Sequence, residues 1–316
     1  MSKALKILSR PRGNAEEYGK GSVNPYIGCS HLCSYCYLKK GPSGAYLGQD
    51  KPVLKKGVVN DEHAYHLAMA EIIEHREEIV KDGGLFMTFT SDPCAEQTRN
   101  LSLTIAHDAS YRMHIPVMIL TKNATFLDID PYSSKLLGID KTEDWERSIP
   151  FYHTGNGRLS FIDNPHFTTD ADPIAFGFTL TGHDELEPKA SPNTDRINAL
   201  QRLTERGFKT WASIEPVIDF KSSLDMITKA VDAGCTHFKI GLLTENTRVC
   251  RKKYDVFECV NFTIDVMWKT LGKATVYWKQ SVRDLLKTVY TDAEVDDILN
   301  LPNAVGKDWS MFNKED

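Results

Sequence analysis

The sequence predicts an α/β fold, a partial (β/α)6 barrel, and three observations predict it. Short apolar runs recur along the chain without polar alternation, as strands buried on both faces of a parallel sheet require. Amphipathic segments bounded by capping residues and glycines lie between them, so the order is β, α, β, α with right-handed crossovers. About six core strands, seven at most, can be counted, too few for the eight of a closed barrel.

The first strand is expected around residues 23–28. A helix follows over 61–81, with apolar Leu67, Ala70, Ile73 and Ile79, Asp61 as its N-cap, and Gly83 and Gly84 as its stop. "GLFMTFT" (84–90) and "PVMILT" (116–121) are the next strands. Residues 141–172, rich in Gly, Asn, Pro and His, interrupt the rhythm and read as an insertion beside the active site. "IAFGFTL" (174–180) resumes it. The helix after Ser191 and Pro192 ends at Gly207. "TWASIEPV" (210–217), a helix ending at Gly234, "HFKIGLL" (237–243), a helical pattern over 246–272 and "TVYWKQ" (275–280) complete the series. The expected organisation is an N-terminal extension over 1–20, the barrel over 21–245, and a C-terminal extension of helices and strand over 246–316.

At 316 residues, with 41% hydrophobic and 26% charged content, the chain can bury a sizeable core. Its formal net charge of −5 gives no global basic field for nucleic acid or an acidic membrane. "KPVLKK" (51–56) and "RVCRKK" (248–253) are local basic runs, read either as solvated charge or as the edges of a basic groove. The first residues lack the apolar run of a signal peptide, and no window is apolar enough to span a bilayer, so a cytoplasmic location is expected. Seven cysteines in a reducing compartment argue for metal or catalytic use rather than disulfides.

Three of the seven, Cys29, Cys33 and Cys36, fall in "NPYIGCSHLCSYCY". A structural zinc site usually needs four protein ligands; His31 is the nearby candidate for a fourth, but it reads as a loop residue rather than a ligand. Cys250 and Cys259 fall on opposite faces of a helix, and Cys235 reads as a core thiol. An iron–sulfur cube held by three cysteines leaves one iron open for a cofactor or substrate.

The spacing C-x-x-x-C-x-x-C directly after a strand resembles the signature of radical S-adenosylmethionine enzymes. "NPYIGCSHLCSYCY", "FTSDP" (89–93), "LTKNATFLDID" (120–130) and "ELEPKASPNTDRINAL" (185–200) follow, in order, motifs of the spore photoproduct lyase-like branch, covering residues 24 to about 243. The resemblance implies a partial (β/α)6 barrel of the radical S-adenosylmethionine type. It implies a 4Fe–4S cluster on Cys29, Cys33 and Cys36, whose open iron chelates S-adenosylmethionine. An electron then cleaves that cofactor to a 5′-deoxyadenosyl radical, which abstracts a substrate hydrogen. Tyr35 is implied against the adenine, and Ser91, Asp92, Lys122, Thr179 and Thr181 as cofactor contacts. The residues alone also allow a helix cap for Ser91 or Asp92, a surface amine for Lys122 and strand filling for the threonines. Glu215 reads as a ligand for ribose hydroxyls or substrate, or as half of a buried ion pair. Lys239 carries the same two readings, and Trp278, Lys279 and Gln280 either flank substrate or end a core strand.

The family's second-strand motif begins with a cysteine that returns a hydrogen atom to the product radical. Here that position is Phe89, which has no labile hydrogen; Cys94 reads either as its replacement, if its loop gives access, or as a non-catalytic loop thiol. The resemblance implies a substrate among DNA, RNA or nucleotides, and an electron donor such as flavodoxin or ferredoxin. A radical modifier of a peptide or small metabolite, and a non-enzymatic iron–sulfur or zinc protein, are the other readings of the same residues.

Overall fold

The computed structural model describes residues 6–128, 152–153, 159–160, 174–243 and 254–300. All six apolar runs become neighbouring parallel strands: β5 (Leu85–Met87), β6 (Val117–Thr121), β9 (Ile174–Thr179), β10 (Lys209–Val217), β11 (His237–Leu242) and β12 (Thr275–Trp278). The expected first strand is split in two. β2 (Ser22–Val23) joins β5 in parallel, while β3 (Tyr26–Ile27) leaves the sheet and pairs with β4 (Val53–Leu54) as a two-stranded ribbon. β1 (Leu8–Ser9) adds an antiparallel edge to β2, so the N-terminal segment is part of the sheet. Of the expected insertion, the described residues include a two-residue-per-strand hairpin, β7 (Tyr152–His153) with β8 (Leu159–Ser160). The rest of 141–172, the basic run 248–253 with Cys250, and 301–316 lie outside the described residues.

Alternation along the strands divides the side chains between two faces. Val117, Ile119, Phe176, Phe178, Ala212, Ile214, Phe238 and Ile240 pack under the helices in the main core. The opposite face carries a separate cluster of Phe86, Met118, Ala175 and Trp211, joined by Tyr18 from the N-terminal segment. Gly177 makes this possible, because a Cβ there would lie 2.2 Å from the Trp211 indole. Full burial of side chains this large stabilises by roughly 1.5–3 kcal/mol each.

The helices begin where side chains can cap them. The first expected helix runs Asp61–Glu74 and restarts as Arg76–Lys81 after a break at His75. Its N-cap is Asn60, whose side chain accepts from the His63 N–H at 2.8 Å, one residue before the expected Asp61. Asn193–Glu205 follows Pro192 as expected, and Phe220–Asp232 is capped by Asp219 on the Ser222 N–H at 2.8 Å. Within the pattern at 246–272, Asp255 caps a helix over Val256–Thr270. Helix Arg99–His107 was not expected from the sequence. Among the described residues no helix is long and apolar enough to cross a membrane.

Candidate active site at the barrel mouth

The loop that carries the three cysteines is gripped from two sides. The Cys29 N–H donates to the Gln49 carbonyl at 2.9 Å on the β3–β4 ribbon side. On the other side, Ser34 N–H donates to the Leu186 carbonyl at 2.9 Å and Lys189 N–H to the His31 carbonyl at 3.2 Å. Gly28 is required at the entry: its φ is +89°, and a Cβ would meet the Lys51 carbonyl at 2.6 Å. Leu32, with φ 56°, holds a left-handed conformation within the loop itself, at a cost typical of functional turns.

Cys29, Cys33 and Cys36 line one pocket with Leu32, Leu38 and Gln49. All three are free thiols. Burial, then the Asp92 carboxylate, pushes Cys29 up to about 12, and burial pushes Cys33 up as well, so a metal bound here displaces their protons. Three soft donors around one pocket fit an iron–sulfur cluster, in which each thiolate takes a different iron. A zinc ion instead needs ligands about 2.0–2.3 Å from a single point. Among the described residues no three His, Cys, Asp or Glu side chains converge in that way. His31 does not stand as the fourth ligand: its Nε2 meets Asp92 at 2.8 Å and its Nδ1 the Lys189 carbonyl at 3.2 Å.

Asp92 is the anchor of this arrangement. Its Oδ1 accepts from the Cys94 N–H at 2.8 Å and the Thr121 hydroxyl at 2.7 Å. Its Oδ2 meets His31 and accepts from the Lys122 N–H at 2.8 Å. A carboxylate has about four lone-pair sites, and all are filled. Burial raises the Asp92 carboxyl, but His31 beside it and these hydrogen bonds pull harder, to about 2. Asp92 thus ties the cysteine loop to the ends of β5 and β6.

Tyr35 and Lys122 do come together, around a residue that sequence reading did not single out. Glu187, with a fully buried side chain, sits 2.7 Å from Arg196 Nη2 and 3.5 Å from Lys122 Nζ, and accepts from the Tyr35 hydroxyl. Lys122 Nζ also lies 5.2 Å over the Tyr35 ring. Burial opposes the Glu187 charge, yet Lys122 and Arg196 hold its carboxyl below the usual range. Thr181 turns its hydroxyl to Glu187 at 3.3 Å, and Thr179 offers its carbonyl to Arg196 at 2.8 Å, so both threonines serve this network. Both Glu187 and Arg196 stood in the "ELEPKASPNTDRINAL" stretch; a glutamate and an arginine nine residues apart around a helix start were the available signal. The half-buried Ser91 hydroxyl makes one long contact, 3.5 Å to the Asp92 carbonyl.

Cys94 is placed elsewhere. It is fully buried in the main core, where burial pushes its thiol well above the ordinary value. Glu215 belongs to a second network on the helix-free face. Lys279 Nζ reaches its two oxygens at 2.8 and 2.7 Å, and the Tyr18 hydroxyl donates to it. Lys279 is also 3.4 Å from Glu17. Lys239 lies 4.4 Å over the Tyr18 ring and 5.0 Å over Trp211. Glu215 thus forms an ion pair with Lys279. Trp278 faces the main core, and Gln280 donates its N–H to Glu17 at 2.7 Å.

No family model and no curated protein matches the chain. Solved structures do. A cysteine-to-alanine mutant of spore photoproduct lyase aligns with a TM-score of 0.58 at 14% identity, over 88% of this chain and 80% of that one. A double mutant of the same lyase with bound AdoMet and dinucleoside spore photoproduct aligns at 0.55 and 14% identity, over 87% and 79%. Streptococcus suis SuiB bound to S-adenosylmethionine aligns at 0.51 and 10% identity, over 87% of this chain and 54% of that one. The chain thus shares the partial-barrel fold of radical S-adenosylmethionine enzymes, with spore photoproduct lyase as a structural neighbour.

Proposed function

We propose that this chain is a radical S-adenosylmethionine enzyme, with Cys29, Cys33 and Cys36 holding a 4Fe–4S cluster and a nucleic acid or nucleotide base as substrate. The observation that carries the reading is the gathering of those three thiols in one pocket, on a loop clamped to the Tyr35–Lys122–Glu187 group at the strand ends. When bound, the cluster and cofactor supply an electron and a 5′-deoxyadenosyl radical. The protein's part is to bind, orient and keep water out. The ammonium of Lys122, only 16% exposed and loosely paired at 3.5 Å, is able to turn from Glu187 to a cofactor carboxylate. Tyr35 offers a ring face beside it, and the Ser91 hydroxyl a donor. Asp92 and Arg196 position these groups from behind. The substrate class rests on the likeness in fold to spore photoproduct lyase, one of whose structures holds a dinucleoside photoproduct.

The test is anaerobic reconstitution followed by iron analysis and an assay for 5′-deoxyadenosine. The native chain is expected to take up about four irons and to cleave S-adenosylmethionine. Each of Cys29→Ala, Cys33→Ala and Cys36→Ala is expected to lose the cluster spectrum and the cleavage, while Cys235→Ala keeps both. Cluster loss in Cys235→Ala with the fold intact would overturn the ligand assignment. Deuterium transfer from labelled oligonucleotide into 5′-deoxyadenosine then tests the substrate class.

A further inference from the structure

An electron has to reach the cluster, and the structure offers a surface for its delivery that is separate from the mouth. The inference rests on the cluster reading above. The cysteine loop lies between two layers. One is the 186–189 stretch that carries Glu187, on the side where cofactor and substrate are expected. The other is the β3–β4 ribbon with the turn before it, and here the Cys29 N–H bonds directly to the Gln49 carbonyl. The outward side of that ribbon is thus one chain thickness from a cluster ligand. Lys39 and Gln49, both exposed, border the cysteine pocket itself on this side.

The same surface has a distinctive composition. Residues 39–56 contain five lysines, Lys39, Lys40, Lys51, Lys55 and Lys56, and one acid, Asp50, in a chain of net charge −5. Lys39, Lys51 and Lys56 are exposed, Lys39 pairing with Asp50, while the half-buried Lys40 and Lys55 donate to the Tyr35 and Lys6 carbonyls. Among them stand exposed apolar side chains, Tyr46 at 51%, Val53 at 48% and Val59 at 80%. Val53 in β4 and Lys51 two residues before it are both exposed, and the backbone of this stretch packs on Tyr26 and Gly28. Apolar side chains inside a rim of like charge are the features of a transient protein interface steered by the opposite charge.

We propose that this lysine-bordered ribbon is the docking surface for a small acidic one-electron carrier protein that reduces the cluster. One electron passes from the reduced carrier to the oxidised cluster; the carrier is oxidised, the cluster is reduced, and no atom is transferred. Nucleic acid is the other partner that lysines attract, but a phosphate backbone does not call for apolar side chains among them. A base also has to enter at the mouth, on the far side of the cysteine loop.

The test uses the reconstituted full chain and a Lys51→Glu/Lys56→Glu double variant, with Lys51→Gln/Lys56→Gln as a milder pair should the first misfold. Cleavage of S-adenosylmethionine is driven either by dithionite, which needs no docking surface, or by a flavodoxin with its reductase. Dithionite-driven cleavage is expected to stay at the native rate. Flavodoxin-driven cleavage is expected to fall by about tenfold at low salt and to lose most of its salt dependence. Equal flavodoxin-driven rates in native and variant chains would overturn the proposal. So would loss of binding to a short DNA duplex in the variant with flavodoxin-driven cleavage intact, which would assign the surface to nucleic acid. A native chain inactive with dithionite would instead sink the enzyme reading itself.

Discussion

Two buried charge networks meet the inner side of this barrel, and they differ in what they leave available. At the mouth, Glu187 is bonded tightly from behind by Arg196 but only loosely from the front by Lys122. On the helix-free face, Glu215 is held by Lys279 through both oxygens and by Tyr18, and Lys279 is closed in by Glu17 and the Tyr18 ring. A Cβ on Gly241 would lie 2.9 Å from Lys279 Cδ, so that network is packed to contact. Lys122 is held loosely enough to change partners, whereas Lys279 is held by both oxygens of Glu215. The charges are of the same kind, so the difference between a binding group and a structural one lies in the geometry of the second contact.

Removing the rear cation at the mouth should have the largest effect on stability. Arg196→Met leaves Glu187 buried without its close partner, which typically costs about 3–5 kcal/mol. Lys279→Met should cost less, about 1–3 kcal/mol, because the Glu215 side chain is 25% exposed and regains water. Urea denaturation of the two variants compares them. A larger loss in Lys279→Met would reverse the ranking of the two networks.

Lys122→Ala sharpens the same contrast on the functional side. With the front cation gone, Glu187 keeps Arg196, so stability should change little. Affinity for S-adenosylmethionine should fall by about 1.5–3 kcal/mol, or roughly 10- to 150-fold, with the cluster retained. Calorimetric titration of the reconstituted chain measures it, and an unchanged Kd would remove Lys122 from the site.

How far these networks were legible depends on how local their signals are. Every apolar run became a strand, because a strand buried on both faces must be apolar at each position, and a window of six residues carries that message. The cysteine loop was legible because three ligands fall within eight positions. Tyr18 and Glu215 are 197 residues apart, Tyr35 and Glu187 are 152 apart, and His31 and Asp92 are 61 apart. No local pattern announces such pairs. Asp92 reads as a ligand because it stands at a strand end in a familiar motif, while three of its four hydrogen-bond partners, His31, Thr121 and Lys122, come from two distant segments. The shift of the cap from Asp61 to Asn60 is an error of another kind, since adjacent residues compete for one cap.

Cys94 provides a smaller test of the boundary between core and mouth. Cys94→Ala removes a buried sulfur and should lower stability by about 1–2 kcal/mol through lost packing. Product identity and the yield of 5′-deoxyadenosine should stay as in the native chain, since the thiol faces the main core. Off-pathway adducts in this variant, with stability unchanged, would return Cys94 to the chemistry.

The smallest effect concerns how the mouth segment is fastened. His183 follows Thr181 in the stretch that leads to Glu187, and it bridges two carboxylates: Nε2 meets Asp219 at 2.6 Å and Nδ1 meets Glu185 at 2.7 Å. Asp219 is the N-cap of helix Phe220–Asp232, so the contact ties the mouth segment to a helix start. Partial burial lowers the His183 pKa, but hydrogen bonds to Glu185 and Asp219 outweigh it, and the net direction is up. Since the folded value lies above the unfolded one of about 6.5, the bridge contributes fully below that pH. The contribution is lost as pH rises through the raised folded value. Melting temperatures of the native chain and His183→Gln, compared from about pH 5.5 to pH 9, should therefore differ most at the acid end and converge on the alkaline side. A difference that stayed constant across that range would show that His183 acts by packing alone and that its charge does not fasten the mouth.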